Sequence, residues 1–281
     1  MKTLVVVWGG VDTEFLSKWD VSNLYFGDFY DLELDLVDKT EPDEFVACLL
    51  TGEDKDVHGI SGSMHYQNKR LNRIESRLSN YYIFKKTKGL RRGFYEAFNR
   101  IDSKKRRYVQ EDYNITSIAS KDGFSSVCLP SINPEPQWCV YRNTIRQDEF
   151  TGLGEKEALQ LIQKNFEWRK KKLKETLNDG NDLIMAHFQY VDSHQHLFYE
   201  NKEYKDLDKV KEAYIELDDY AGELLDKAEE KGYNVIFMSE YGVPTPEGNS
   251  THANASYYST NLDWFGDLNL TQMNSKIEEL A

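Results

Sequence analysis

Short apolar runs alternate along this chain with longer stretches whose apolar positions recur every three or four residues. Leu4 to Trp8 is a β-branched run that ends at Gly9-Gly10, the pattern of a buried strand feeding a tight turn. A short helix is expected over Thr13 to Lys18, and an edge strand near Leu32 to Val37. Pro42 opens a helix that turns Phe45, Val46, Leu49 and Leu50 inward and stops at Gly52. Ser125 to Leu129 reads as a further strand. Glu155 to Leu177 is a long helix with Leu159, Ile162, Phe166, Arg169 and Leu173 on one side, closed by Asn178-Asp179-Gly180. Leu207, Val210, Tyr214, Leu217, Ala221, Leu224 and Ala228 form a core-packing stripe that Gly232 closes, and Val235 to Met238 is a buried strand. Strand and helix therefore alternate, which predicts an α/β fold: a mostly parallel central sheet with helices on both faces, a three-layer sandwich. No repeat or linker interrupts residues 1–281, so one domain is expected.

The richest stretch is Ile184 to His196, IMAHFQYVDSHQH, an apolar run that leads into a polar cluster. Open α/β sheets place ligands just beyond the C-terminal ends of their strands. If the chain turns helical there, Asp192 and His196, four apart, project from one face and can share a cation. The competing reading is a polar surface turn. Other strand exits carry Asp12, equally readable as a helix N-cap, and Glu240, with His252 following in a Gly/Asn/Ser/Thr-rich loop. Parallel strands bring all these exits to one edge. Two imidazoles and three carboxylates there suit one or two divalent cations with mixed nitrogen and oxygen ligation, zinc or manganese. Such cations, about 4 Å apart, clamp the entering and leaving oxygens of a phosphoryl transfer. Thr40 lies just before the Pro42 helix, where backbone N–H groups favour an anion.

Composition narrows the partners. With 40% hydrophobic and 13% aromatic residues the chain can build a core, and a net charge of −13 argues against a nucleic-acid polymer or an anionic membrane. A small phosphorylated substrate stays open, because bound cations reverse the local field. The basic run Lys104 to Arg107 is either a solvated face or a phosphate patch. Cys48, Cys128 and Cys139 have no spacing that signals a disulfide framework or a thiolate site. The apolar run at the N-terminus reads as a strand and no stretch reaches membrane-spanning length, so a cytoplasmic protein is expected.

The motifs also stand in a telling order. A strand leads to Asp12; Leu49 to Gly52 ends in Thr-Gly and is followed by His58-Gly59-Ile60; a strand leads to Asp192 and His196; Ser239 to Gly242 follows another strand; His252 closes the series. This order resembles the alkaline phosphatase superfamily, and within it the type I phosphodiesterase/nucleotide pyrophosphatase branch. The resemblance implies one cation on Asp192, His196 and His252, and a second on Asp12, Glu240 and the nucleophile. His58 would be structural, and His65, His187 and His194 have no counterpart, His194 standing beside the ligands or exposed. Residues 62–124 would form a cap or insertion. Two departures stand out. Glu240-Tyr241 replaces an Asp-His pair, and Pro42 occupies the usual nucleophile position, with Thr40 two residues earlier. The implied function is a metal-dependent phosphoester hydrolase acting on a small phosphorylated or nucleotide-like substrate through Thr40. The alternative is a catalytically degenerate member that binds such a ligand without turnover.

Overall fold

The computed structural model describes residues 1–26, 28–37, 41–61, 65–66, 105–133, 154–200, 206–244 and 252–281. Thr40 and Cys139 fall outside them, as does most of the expected cap.

The chain runs β1 (Lys2–Trp8), α1 (Thr13–Trp19), β2 (Tyr30–Glu33), α2 (Pro42–Thr51), α3 (Lys55–His58), β3 (His65–Tyr66), β4 (Lys105–Arg106), β5 (Phe124–Val127), α4 (Glu155–Asp179), β6 (Leu183–Phe188), α5 (Tyr190–Gln195), α6 (Leu207–Glu230), β7 (Tyr233–Ser239), β8 (Tyr257–Thr260), β9 (Leu268–Asn269) and α7 (Leu270–Leu280). The main sheet has the order β5-β6-β1-β7-β8-β2-β9. β1 lies parallel between β6 and β7, so that Val7 is flanked by His187 and Met238. β5 is parallel to β6, whereas β8 is antiparallel to both β7 and β2. The C-terminal ends of β5, β6, β1 and β7 therefore share one edge, where the candidate ligands stand.

Alternation along β1 divides the core into two layers. Leu4, Val6 and Trp8 pack with α1, α4 and α6; Val5 and Val7 pack with α2 and α7. This is the three-layer α/β arrangement expected. Three details differ from the sequence reading. The strand expected at the edge over 32–37 covers Tyr30–Glu33 instead and is not an edge, because it pairs with β8 on one side and β9 on the other; only Leu32 is buried. β8, β9 and α7 carry no apolar run long enough to announce them. α2 buries every residue from Pro42 to Leu50, not one face, because its other side is covered by a small cluster of Ala47, Ile60 and Tyr108. Among the described residues, no helix is long and apolar enough to cross a membrane.

His58 shows how the Thr-Gly and His-Gly-Ile segments are joined. Gly59 takes a left-handed φ of 83°, which turns the Ile60 N–H back onto His58 Nδ1 at 3.0 Å. The other ring nitrogen faces Cys48 Sγ at 3.4 Å, and burial lowers the His58 pKa from 6.5 to about 4. Burial first, and then Glu44, raises the Cys48 thiol to about 12, so it packs as an inert group. His58 thus folds neutral but binds a proton when the chain unfolds. Its contribution is present above pH 6.5 and is lost as pH falls toward 4, about 3 kcal/mol in all. In urea titrations, His58→Asn is expected to flatten the stability difference between pH 7 and pH 4 by roughly that amount. An unchanged difference would place the acid-labile group elsewhere.

Candidate metal centre

The central stretch builds its site by a change of conformation. β6 is buried throughout, and Gln189 (φ −111°, ψ 29°) breaks the strand so that α5 begins at Tyr190. Tyr190 to Gln195 are all buried, which rules out a polar surface turn. One helical turn separates Asp192 from His196, and Asp192 Oδ1 lies 3.3 Å from His196 Nε2. His252 arrives from the other side of the exit. A short bridge pairs it with Pro244, and its Nδ1–H donates to the Gly242 carbonyl at 2.9 Å. That bond fixes the tautomer and leaves Nε2 with its lone pair, 3.7 Å from Asp192 Oδ1. The two rings meet edge to face at 5.0 Å. One ligand atom from each of Asp192, His196 and His252 falls within 4.8 Å of the others. Burial lowers the His252 pKa against the opposing pull of Asp192, favouring the neutral ring that a cation requires. Two imidazole nitrogens and one carboxylate oxygen form a donor set that fits zinc or manganese, with positions left open for other ligands.

Asp12 and Glu240 lie beside this group without joining it. Asp12 is the N-cap of α1: Oδ1 accepts from the Glu14 N–H at 2.9 Å and Oδ2 from the Val243 N–H at 3.1 Å. Asp12 and His252 therefore both anchor on the dipeptide Gly242-Val243. Gly242 has no room for a side chain, since an added Cβ would stand 2.1 Å from Asp12 Oδ2. Glu240 is buried, with Oε1 3.0 Å from His187 Nε2. The Gly9-Gly10 turn packs against Glu240 and Asp192. A Cβ on Gly9 would lie 3.1 Å from Glu240 Oε1, and one on Gly10 2.8 Å from Asp192 Cα.

Tyr241 is buried and packs its ring 4.1 Å from that of His252. His194 is neither exposed nor among the three clustered ligands. Its Nδ1–H donates to the Tyr190 carbonyl at 2.9 Å, and its ring lies among Tyr190 and Phe198, where burial lowers its pKa. Two supporting residues escaped the sequence reading. Tyr214, counted there as core, receives the Asp12 N–H at 2.8 Å and donates to the Gly10 carbonyl at 3.2 Å. Gln195 donates to that carbonyl at 2.7 Å. A hydroxyl inside an otherwise apolar stripe was the available signal for Tyr214, because buried hydroxyls need partners. The first turn of α2, which follows Thr40 in sequence, carries Asp43 and Glu44, both buried.

A family model described as type I phosphodiesterase / nucleotide pyrophosphatase matches residues 45–272. No curated protein matches by sequence. Among solved structures, an inactive variant of murine ectonucleotide pyrophosphatase/phosphodiesterase 5 in complex with AMP has a TM-score of 0.53 at 11% identity, over 100% of this chain and 94% of that one. Another structure of the murine protein gives 0.48 at 14% identity, over 86% of this chain and 57% of that one. A variant of alkaline phosphatase PafA gives 0.50 at 13% identity, over 86% of this chain and 63% of that one. The chain thus spans less than two thirds of the length of the latter two. At these identities the likeness is one of fold.

Proposed function

The chain belongs to the type I phosphodiesterase / nucleotide pyrophosphatase family, and from that premise we propose that it is a metal-dependent phosphoester hydrolase. The observation that carries the reading is the convergence of Asp192, His196 and His252 within 4.8 Å at the shared strand exits. These three residues would hold a zinc or manganese ion, with Asp12 and Glu240 as the candidates for a second. A bound divalent cation supplies Lewis acidity and offsets the charge that develops on phosphoryl oxygens. The His252 Nδ1–H bond to Gly242 keeps Nε2 aimed at Asp192. The Gln195 and Tyr214 bonds to Gly10 hold the turn that carries Asp12. Thr40 is the assigned nucleophile: its Oγ bonds to phosphorus as the ester P–O bond breaks, and water then cleaves the Thr40 Oγ–P bond and restores the hydroxyl. The substrate class is small and phosphorylated, nucleotide-like by analogy with the AMP complex of the murine protein. Residues 1–281 form one domain in this reading, and 62–124 its cap.

The rival reading is ligand binding without turnover. It draws on Tyr241 in place of an imidazole, its ring packed against His252, which leaves the second cation position one nitrogen ligand short. The two readings separate on bis-p-nitrophenyl phosphate. Hydrolysis that stops on chelation and returns with zinc or manganese, and that falls at least about a hundredfold in Thr40→Ala, supports the hydrolase. Tight cation binding with no turnover supports the rival, and turnover indifferent to chelation refutes the metal-dependent mechanism.

A further inference from the structure

Glu240 is a carboxylate with 1% exposure and an uneven environment. Oε1 faces His187 Nε2 at 3.0 Å, whereas Oε2 is buried with no hydrogen-bond partner. A carboxylate has about four acceptor sites, and a buried one that meets a single N–H is under-compensated unless a cation or water completes it. The surroundings are built for this carboxylate. Gly9 lets the turn approach Oε1 where a Cβ would stand at 3.1 Å, and the Ser256 hydroxyl donates to the Glu240 backbone carbonyl at 2.9 Å. His187 is itself held. Its side chain is fully buried, and the buried Arg169 guanidinium donates to its backbone carbonyl. The same turn that touches Glu240 through Gly9 touches Asp192 through Gly10.

We propose that His187 is a positioning residue for the cation site: by donating Nε2–H to Glu240 Oε1, it fixes the carboxylate so that Oε2 remains as a ligand oxygen for a divalent cation at the strand exits. This rests on the metal-dependent reading and goes beyond it, because a lone histidine inside a buried strand carried no assignment. It also accounts for the longer side chain at position 240. Glu has one more rotatable bond than Asp, and the His187 bond removes the freedom that this adds.

The test is manganese titration by calorimetry on the whole, chelator-stripped protein, with thermal melts of each apo form. His187→Phe and Glu240→Gln should each weaken manganese binding by about 10- to 100-fold or remove one equivalent. The double variant should bind no more weakly than either single one, since both act through one oxygen. His187→Gln, which keeps an N–H donor, should recover most of the loss. A purely structural pair would lower the apo melting temperature and leave the titration unmoved. Wild-type affinity and stoichiometry in His187→Phe, with binding lost in Asp192→Asn, therefore overturns this proposal alone. Wild-type binding in Asp192→Asn overturns the metal reading beneath it. If His187→Phe does not fold, Glu240→Gln decides: unchanged binding there refutes the proposal.

Discussion

Asp192→Asn is expected to weaken zinc or manganese binding by at least about a hundredfold and to lower phosphodiester turnover by roughly a thousandfold, about 4 kcal/mol of transition-state stabilisation. The substitution is nearly isosteric, so it tests charge rather than shape. Asp192 Oδ1 is the atom on which both imidazoles converge, at 3.3 Å for His196 and 3.7 Å for His252. An amide there offers a neutral oxygen or an N–H directed at the ion, and either loses the anionic ligand. The apo protein should keep its stability within about 1 kcal/mol, because no core volume is removed. Elemental analysis after dialysis, beside turnover with bis-p-nitrophenyl phosphate, reads both effects. A variant that retains bound metal at the wild-type level would show that the three residues are not the ligands.

Gly10→Ala should be strongly destabilising for a single added methyl, costing about 3 kcal/mol or more in urea unfolding. Two effects add. Gly10 sits at φ 78°, a left-handed conformation that costs an L-residue about 1–2 kcal/mol. The new Cβ would also lie 2.8 Å from Asp192 Cα and 2.8 Å from Gln195 Oε1, so α5 must give way. Gly232→Ala separates the two effects. Its φ is 72°, but nothing lies within 4 Å of the added Cβ, so only the backbone cost applies. The difference between the variants isolates the contact between the turn and α5, and Gly10→Ala should lose cation affinity as well. Equal destabilisation of the two would mean that the turn does not brace Asp192.

How much of this was legible varies from residue to residue. The Asp192/His196 pair could be read because a run of strand length followed by an i, i+4 polar pair implies both a strand exit and a shared helical face. α2 and α4 were bounded by Pro42, Gly52 and Gly180, whose backbone demands are local. β8 was not legible, since Tyr257-Tyr258-Ser259-Thr260 looks polar. Its hydroxyls are satisfied by distant carbonyls, Tyr257 on Leu24 at 3.1 Å and Tyr258 on Gly266 at 2.6 Å. α7 did carry a sign: Asn269 caps it, accepting from the Gln272 N–H at 2.9 Å, while the Gln272 side chain returns to the Asn269 N–H.

Local chemistry along the chain decided where strands and helices lie, which turns need glycine, and in what order the ligand types appear. Those features depend on neighbours a few residues away, and a linear pattern records them. Only the tertiary structure decided that His252 completes the Asp192/His196 pair, that Asp12 gives its Oδ2 to the Val243 N–H, and that Glu240 is tied to His187. Those pairings join residues 53 to 231 positions apart. They are set by the parallel register of β6, β1 and β7, which long-range packing establishes and no local pattern encodes.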